Sequence, residues 1–205
     1  MPDSQIIPSS VISLLDQSTA AAEVPDPSAF VTTRWLAGVT LATGGLIDAA
    51  LERPEHNAIR SFRGNGQEVL LLARDETSGC NVYLRRHADG AVAPVVAHQK
   101  TVTMTLSGTA SLEAYRDEGD VENDEPWYVR DFDSESLYAC HPGTIHRLDL
   151  SPDAYQLVLS REDLELDGSA PLESAEYLAA LTAAQPALAM ISRQSLAAEV
   201  ADSSA

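Results

Sequence analysis

Between residues 68 and 160 the chain is a succession of short β-type runs, each closed by a turn, with no helical repeat among them. Glu68 to Arg74 and Cys80 to His87 are separated by Glu76-Thr77-Ser78-Gly79, and Asp89-Gly90 closes the second run. Val95 to Ala97 leads to His98. Thr101 to Leu106 then alternates threonine with Val102, Met104 and Leu106, and Ser107-Gly108 turns into Thr109 to Arg116. Trp127 to Phe132, Leu137 to Cys140, Ile145 to Leu150 and Tyr155 to Ser160 complete the series, while the acidic stretch 117–125 reads as a solvated loop. Eight or nine strands of this length, with only turns between them, must pair antiparallel. The outcome is a sandwich or barrel.

The flanks read differently. Residues 8–22 carry Val11, Ile12, Leu14 and Leu15 at helical spacing, with Ser9 or Ser10 as cap. Asp26-Pro27 starts a second helix that runs toward Gly44-Gly45, and Leu46 to Leu51 forms a short third piece before Arg53-Pro54. Past Gly168-Ser169, Pro171 to Ala184 and Pro186 to Val200 are two Ala- and Leu-rich helices, each opened by a proline. The organisation is a helical extension over 1–60, a β-domain over 61–165 and a helical segment over 166–205, all one structural domain. Helical faces of this kind pack as a layer against a sheet.

Charge narrows the class of function. There are 31 acidic residues against 13 basic ones, a net charge of −18, and Lys100 is the only lysine. Phosphate binders need basic stripes, so neither nucleic acid nor an anionic membrane is an expected partner. Met1-Pro2-Asp3-Ser4-Gln5 lacks a basic leader, and Gly44, Gly45 and Asp48 interrupt the longest apolar stretch. Cys80 and Cys140 are too few to staple a secreted domain. A cytoplasmic, reduced protein is the expectation.

The densest local signal is Cys140-His141-Pro142-Gly143-Thr144-Ile145-His146-Arg147-Leu148. A Pro-Gly turn drops into a strand whose first inward position is His146, and the strand returns through Ser151-Pro152-Asp153. Turn plus histidine resembles the second conserved motif of the cupin superfamily, Pro-Gly-x-x-His. In the first motif Gly90 is followed by Val96-Ala97-His98, so His98 falls on a ligand position, Val96 on another and Thr101 on the glutamate position before Gly108. With Gly79-Cys80-Asn81-Val82-Tyr83-Leu84 and Leu106-Ser107-Gly108, the frame over residues 68–160 is similar to the cysteine (thiol) dioxygenase branch.

That resemblance implies a mainly β fold, a cupin-type double-stranded β-helix or jelly-roll barrel, with helices before and after it. It implies a non-heme metal-dependent oxygenase acting on cysteine or a related small thiol or amino acid. The cofactor would be a divalent transition metal, Fe(II) first and nickel next, and O2 would be the co-substrate. His98 and His146 would be ligands, with His141, His87 or Gln99 as candidate third donors. A homodimer follows by the same analogy. Departures alter the chemistry: Val96 cannot bind metal, and Val69-Leu70-Leu71 stand where the family's carboxylate-binding arginine belongs.

The residues leave alternatives open. If Thr101 and Thr103 point inward, the wall there is hydroxylated and uncharged, which suits positioning a small polar molecule. Arg85 is the preferred partner for a substrate carboxylate, and Tyr83 shares its strand parity. Arg147 and Lys100 face outward by alternation. His98 or His146 could equally act as general base in a metal-free isomerase, cyclase or dehydratase, or the pocket could only bind.

Overall fold

The computed structural model describes residue 43 and residues 45–75, 79–134 and 136–202. The two helices expected over 8–22 and from Asp26 lie outside the described residues. Helices α1 (45–51) and α2 (Pro54–Ala58) precede the sheets. The strands are β1 (Phe62–Gly64), β2 (Gln67–Asp75), β3 (Cys80–His87), β4 (Val95–Val96), β5 (Thr101–Ser107) and β6 (Ala110–Tyr115). After helix α3 (Glu118–Glu122) come β7 (Tyr128–Phe132), β8 (Leu137–Cys140), β9 (Ile145–Leu150), β10 (Tyr155–Ser160), β11 (Ala170–Pro171) and helix α4 (Ser174–Asp202).

One sheet has the order β11-β1-β2-β3-β10-β5-β8, the other β4-β9-β6-β7. The pairs β3/β10, β4/β9, β5/β8 and β6/β7 are all antiparallel. The chain therefore runs out through β3 to β6 and back through β7 to β10, each returning strand beside its outgoing mate. A long hairpin wound in this way, alternating between two sheets, is the jelly roll, or double-stranded β-helix. One expectation is corrected: the sheets form a sandwich and do not close into a barrel. Strand β4 is only two residues long, and residues 161–169, rather than a strand ladder, cross the open side.

Period-two alternation decides which side chains face which layer. On one face of the larger sheet Val82, Leu84, Val102, Met104, Leu106, Leu157 and Leu159 pack with Ile47, Tyr177, Leu181 and Leu188 of the helical layer. Strand β2 is apolar on both faces, so its run reads continuously: Leu70 and Leu72 join that core, Val69 and Leu71 the inter-sheet side. A bulge between Leu71 and Ala73 shifts the ladder. Side chains satisfy the displaced backbone: Ser61 Oγ accepts from Leu71 N at 2.8 Å, Tyr177 Oη donates to Leu71 O at 2.6 Å, and Asn57 Nδ2 donates to Leu72 O at 3.4 Å.

Two local expectations differ. The C-terminal helices are one helix with Pro186 inside it. Tyr177, Leu181, Ala184 and Leu188 remain buried on one face across the proline, and that packing offsets the missing backbone bond. The acidic stretch contains α3, because the Asp117 side chain accepts from Asp120 N and caps it. At the hairpin-like crossing near β10, Gly108 has φ +67°, and a Cβ there would lie 2.6 Å from the Ala154 backbone.

Candidate functional site

The inter-sheet face of β5, β10 and β3 carries Thr101, Thr103, Thr105, Gln156 and Arg85, the opposite parity from the helix-covered core. Thr101, Thr103 and Thr105 are buried, as is Gln156. At the open side of the sandwich this face borders a cavity of about 60 Å³. Since one water needs roughly 10–15 Å³ by the same measure, there is room for a few heavy atoms. Arg85, Thr101, Tyr138, Cys140 and His146 line it inside; Val96 of β4 and His98 and Gln99 just after it line it from the other sheet's edge. Leu164, Glu165 and Leu166 of the crossing segment form part of its wall.

The Pro-Gly turn places His146. Gly143 adopts φ +81°, its N–H donates to Ala97 O at 2.8 Å, and Ala97 N donates to Thr144 O at 2.9 Å. The turn is thereby stitched to the segment that carries His98. In the ladder His146 faces Val95, while Val96 faces Ile145. His146 Nδ1 lies 3.2 Å from Thr144 O and 4.0 Å from Cys140 Sγ. With Nδ1–H donating to the carbonyl, the neutral ring keeps its lone pair on Nε2. Burial lowers the His146 pKa, and the Arg85 charge pushes in the same direction. Burial pushes the Cys140 thiol up to about 11 and raises the Tyr138 phenol as well. At neutral pH imidazole, thiol and phenol are all uncharged.

Arg85 supplies the interior charge. Its Nη1 donates to Gln156 Oε1 at 3.4 Å, while its Nε is buried with no hydrogen-bond partner among the described residues. Gln156 Oε1 also accepts from Tyr138 Oη at 3.2 Å, and Gln156 Nε2 donates to Thr105 Oγ1 at 3.2 Å. Phe132 stacks on Tyr138 at 4.3 Å between ring centroids and steadies the phenol.

Of the other sequence candidates, His98 and Gln99 line the cavity at its rim and the rest lie elsewhere. His98 is at the rim, 39% exposed at its side chain, with Nε2 3.1 Å from Asp167 Oδ1. Tyr83 is buried behind the cavity, where its Oη accepts from Leu164 N at 3.2 Å and anchors the crossing segment. Thr103 is in the buried row but is not among the lining residues, and neither His87 nor His141 lines the cavity. Gln99 donates to Asp163 O at 3.0 Å. Arg147 faces outward as alternation requires, with Nε donating to Glu113 Oε2 at 2.6 Å.

The donor set does not fit the metal that the resemblance implies. His146 and His98 border one cavity, but no group of three or more His, Cys, Asp or Glu among the described residues could hold an ion. Three facial protein ligands are the common requirement of iron oxygenases; neither His141 nor His87 lines the cavity, and Gln99, which does, spends its amide nitrogen on Asp163 O. Sequence reasoning missed Gln156 and the wall formed by Leu164 to Leu166. Gln156 was visible as a polar residue at an inward position of an otherwise apolar strand; residues 161–169 have no periodicity to read.

No family model matches the chain, and no curated protein matches it. Among solved structures, it is similar to a cupin superfamily protein from Desulfitobacterium hafniense at 18% identity, over 48% of this chain and 79% of that one, with a TM-score of 0.33. A cupin-like protein from Thermotoga maritima is 18% identical over 57% of this chain and 85% of that one, TM-score 0.36. The Streptomyces albus HEPD, whose structure holds 2-hydroxyethylphosphonate and Fe(II), is 15% identical over 47% of this chain and 21% of its own, TM-score 0.37. Likenesses at this level say nothing about chemistry. Among the described residues no helix is long and apolar enough to cross a membrane. By the order of its own strands, the chain has the mainly β, cupin-type jelly-roll fold.

Proposed function

We propose that the protein is an acid–base enzyme for a small carboxylate, with Arg85 holding the carboxylate and His146 taking a proton. The observation that carries this reading is the Arg85 guanidinium, bordering a cavity with its Nε buried and unpaired. A buried donor without an acceptor costs roughly 1–3 kcal/mol, more when charged, and an anionic ligand removes that cost. His146 is neutral at physiological pH for the physical reasons given above, and a neutral imidazole with a free Nε2 lone pair is a competent base. In that step the substrate's C–H or O–H bond breaks, its electron pair stays on the substrate, and the proton moves to Nε2. Isomerisation, cyclisation and dehydration all begin this way. The Thr101 hydroxyl and the Cys140 thiol offer the bound molecule uncharged polar contacts.

This reading replaces the Fe(II)-dependent thiol dioxygenase expected from the sequence, whose metal lacks a ligand set here and whose O2 step is therefore not invoked. Two measurements test it. Titration calorimetry with small 2-hydroxy, 2-oxo and unsaturated monocarboxylates is expected to find a binder whose affinity falls roughly ten- to a hundredfold in Arg85→Gln. Proton NMR in deuterium oxide is expected to show solvent exchange at a carbon of that binder, lost in His146→Ala. Stoichiometric iron or nickel in protein purified without chelators, released by His146→Ala, would overturn the metal-free reading.

A further inference from the structure

Gln156 is fully buried, yet it sits behind the cavity wall rather than on it. Its amide orientation is dictated by its neighbours. Arg85 Nη1 and Tyr138 Oη both donate to Oε1, so Nε2 must face Thr105 Oγ1. Every polar atom of the Gln156 side chain is thus engaged, and none of its partners carries negative charge. A half-buried guanidinium whose Nε is closed off from solvent is ordinarily neutralised by a carboxylate. The same sheet shows the ordinary solution elsewhere: Arg63 and Arg86 both bond the buried Glu68. Arg85 and Gln156 are cross-strand partners in the ladder, so a glutamate at 156 would have supplied the counter-charge directly.

We infer that Gln156 is the specificity-determining positioning residue of the cavity: by holding Arg85 through a neutral amide it leaves one positive charge for the ligand and makes this a monoanion site. The inference rests on the reading of Arg85 proposed above and adds the ligand's charge class. Among the lining residues Arg85 alone is permanently positive, and Glu165 stands on the crossing segment with the opposite sign. A second negative charge on the ligand would find no partner inside and repulsion at the mouth. Monocarboxylates are therefore selected over dicarboxylates and inorganic phosphate.

The discriminating variant is Gln156→Glu. It is isosteric, both donors to Oε1 are kept, and the Thr105 hydroxyl can turn to donate to the second oxygen, so the fold is preserved. Acetate, succinate and inorganic phosphate serve as probes in calorimetry on the full chain. Wild type is expected to bind acetate at least tenfold more tightly than the other two, and Gln156→Glu to lose acetate binding at least tenfold. Equal acetate affinity in the two proteins would overturn the inference and leave the Arg85 reading standing. If wild type binds no carboxylate, the Arg85 reading and the inference that rests on it both fall; a ligand-free measurement tests the hold of Gln156 on Arg85 separately. The Arg85 Nε–H resonance in nitrogen-15 spectra is expected to be exchange-broadened in wild type and sharp in Gln156→Glu, where a carboxylate locks the guanidinium. An unchanged resonance would overturn the inference.

Discussion

The two faces of β5, β10 and β3 are built from the same six- to eight-residue stretches, yet they do opposite things. On the helix side Leu84, Val102, Met104 and Leu157 meet Tyr177 and Leu181 in a dry, apolar layer. One residue away on each strand, Arg85, Thr101, Thr105 and Gln156 face the second sheet with polar atoms. Thr101, Thr105 and Gln156 are buried like the apolar row and Arg85 is half-buried, but satisfaction differs. The apolar face is complete by itself, whereas the polar face ends at a guanidinium beside a void, its Nε without a partner among the described residues. A fold that hides a strong donor and supplies no acceptor is arranged for something that arrives from outside.

The contrast is broken most severely by cutting the dry face. Leu84 is fully buried, and Leu84→Ala is expected to cost about 2–5 kcal/mol in urea unfolding, with carboxylate affinity unchanged in whatever fraction stays folded. Moving one position along β3 reverses the pattern. Arg85→Gln is expected to change stability by less than about 1 kcal/mol, because an unpaired buried donor is lost with the charge, while binding collapses. Similar stability losses for the two neighbours would mean that both faces are merely structural.

The smallest effect is a pH dependence. Burial and the Arg85 charge hold the folded-state His146 pKa below its unfolded value, so the unfolded chain takes the proton first as pH falls. This histidine's contribution is intact above the unfolded pKa of about 6.5 and is lost as pH drops below it, until the folded state also protonates. The slope from one proton cannot exceed about 1.4 kcal/mol per pH unit. Chemical denaturation of wild type and His146→Gln between pH 7.5 and 5 measures it. A pH profile identical in the two proteins would sink the assignment of a buried, depressed imidazole.

Much of this was legible in the residues. Threonine alternating with Val102, Met104 and Leu106 announced a strand with two unlike faces, while which face meets the second sheet is decided by the helices that cover the other. Arg85 could be picked out by parity on β3, and Pro142-Gly143 ahead of His146 marked the turn. What was not legible depends on long-range geometry. Whether the sandwich closes is set by the two-residue β4 and the aperiodic 161–169 segment, which carry no pattern. His98 lines the rim of the cavity, and its contact with Asp167 spans 69 residues of sequence. The role of Gln156 depends on the three groups that meet its amide.

The bulge in β2 carries a consequence of its own. Because Tyr177, Asn57 and Ser61 each meet one displaced peptide group there, the last helix and the one before β1 can dock at a single height along the sheet. A greasy layer alone would tolerate sliding by a turn; three polar keys in one lock do not. The scaffold behind the cavity is therefore indexed as well as packed, and it holds β3, with its arginine, at a fixed depth.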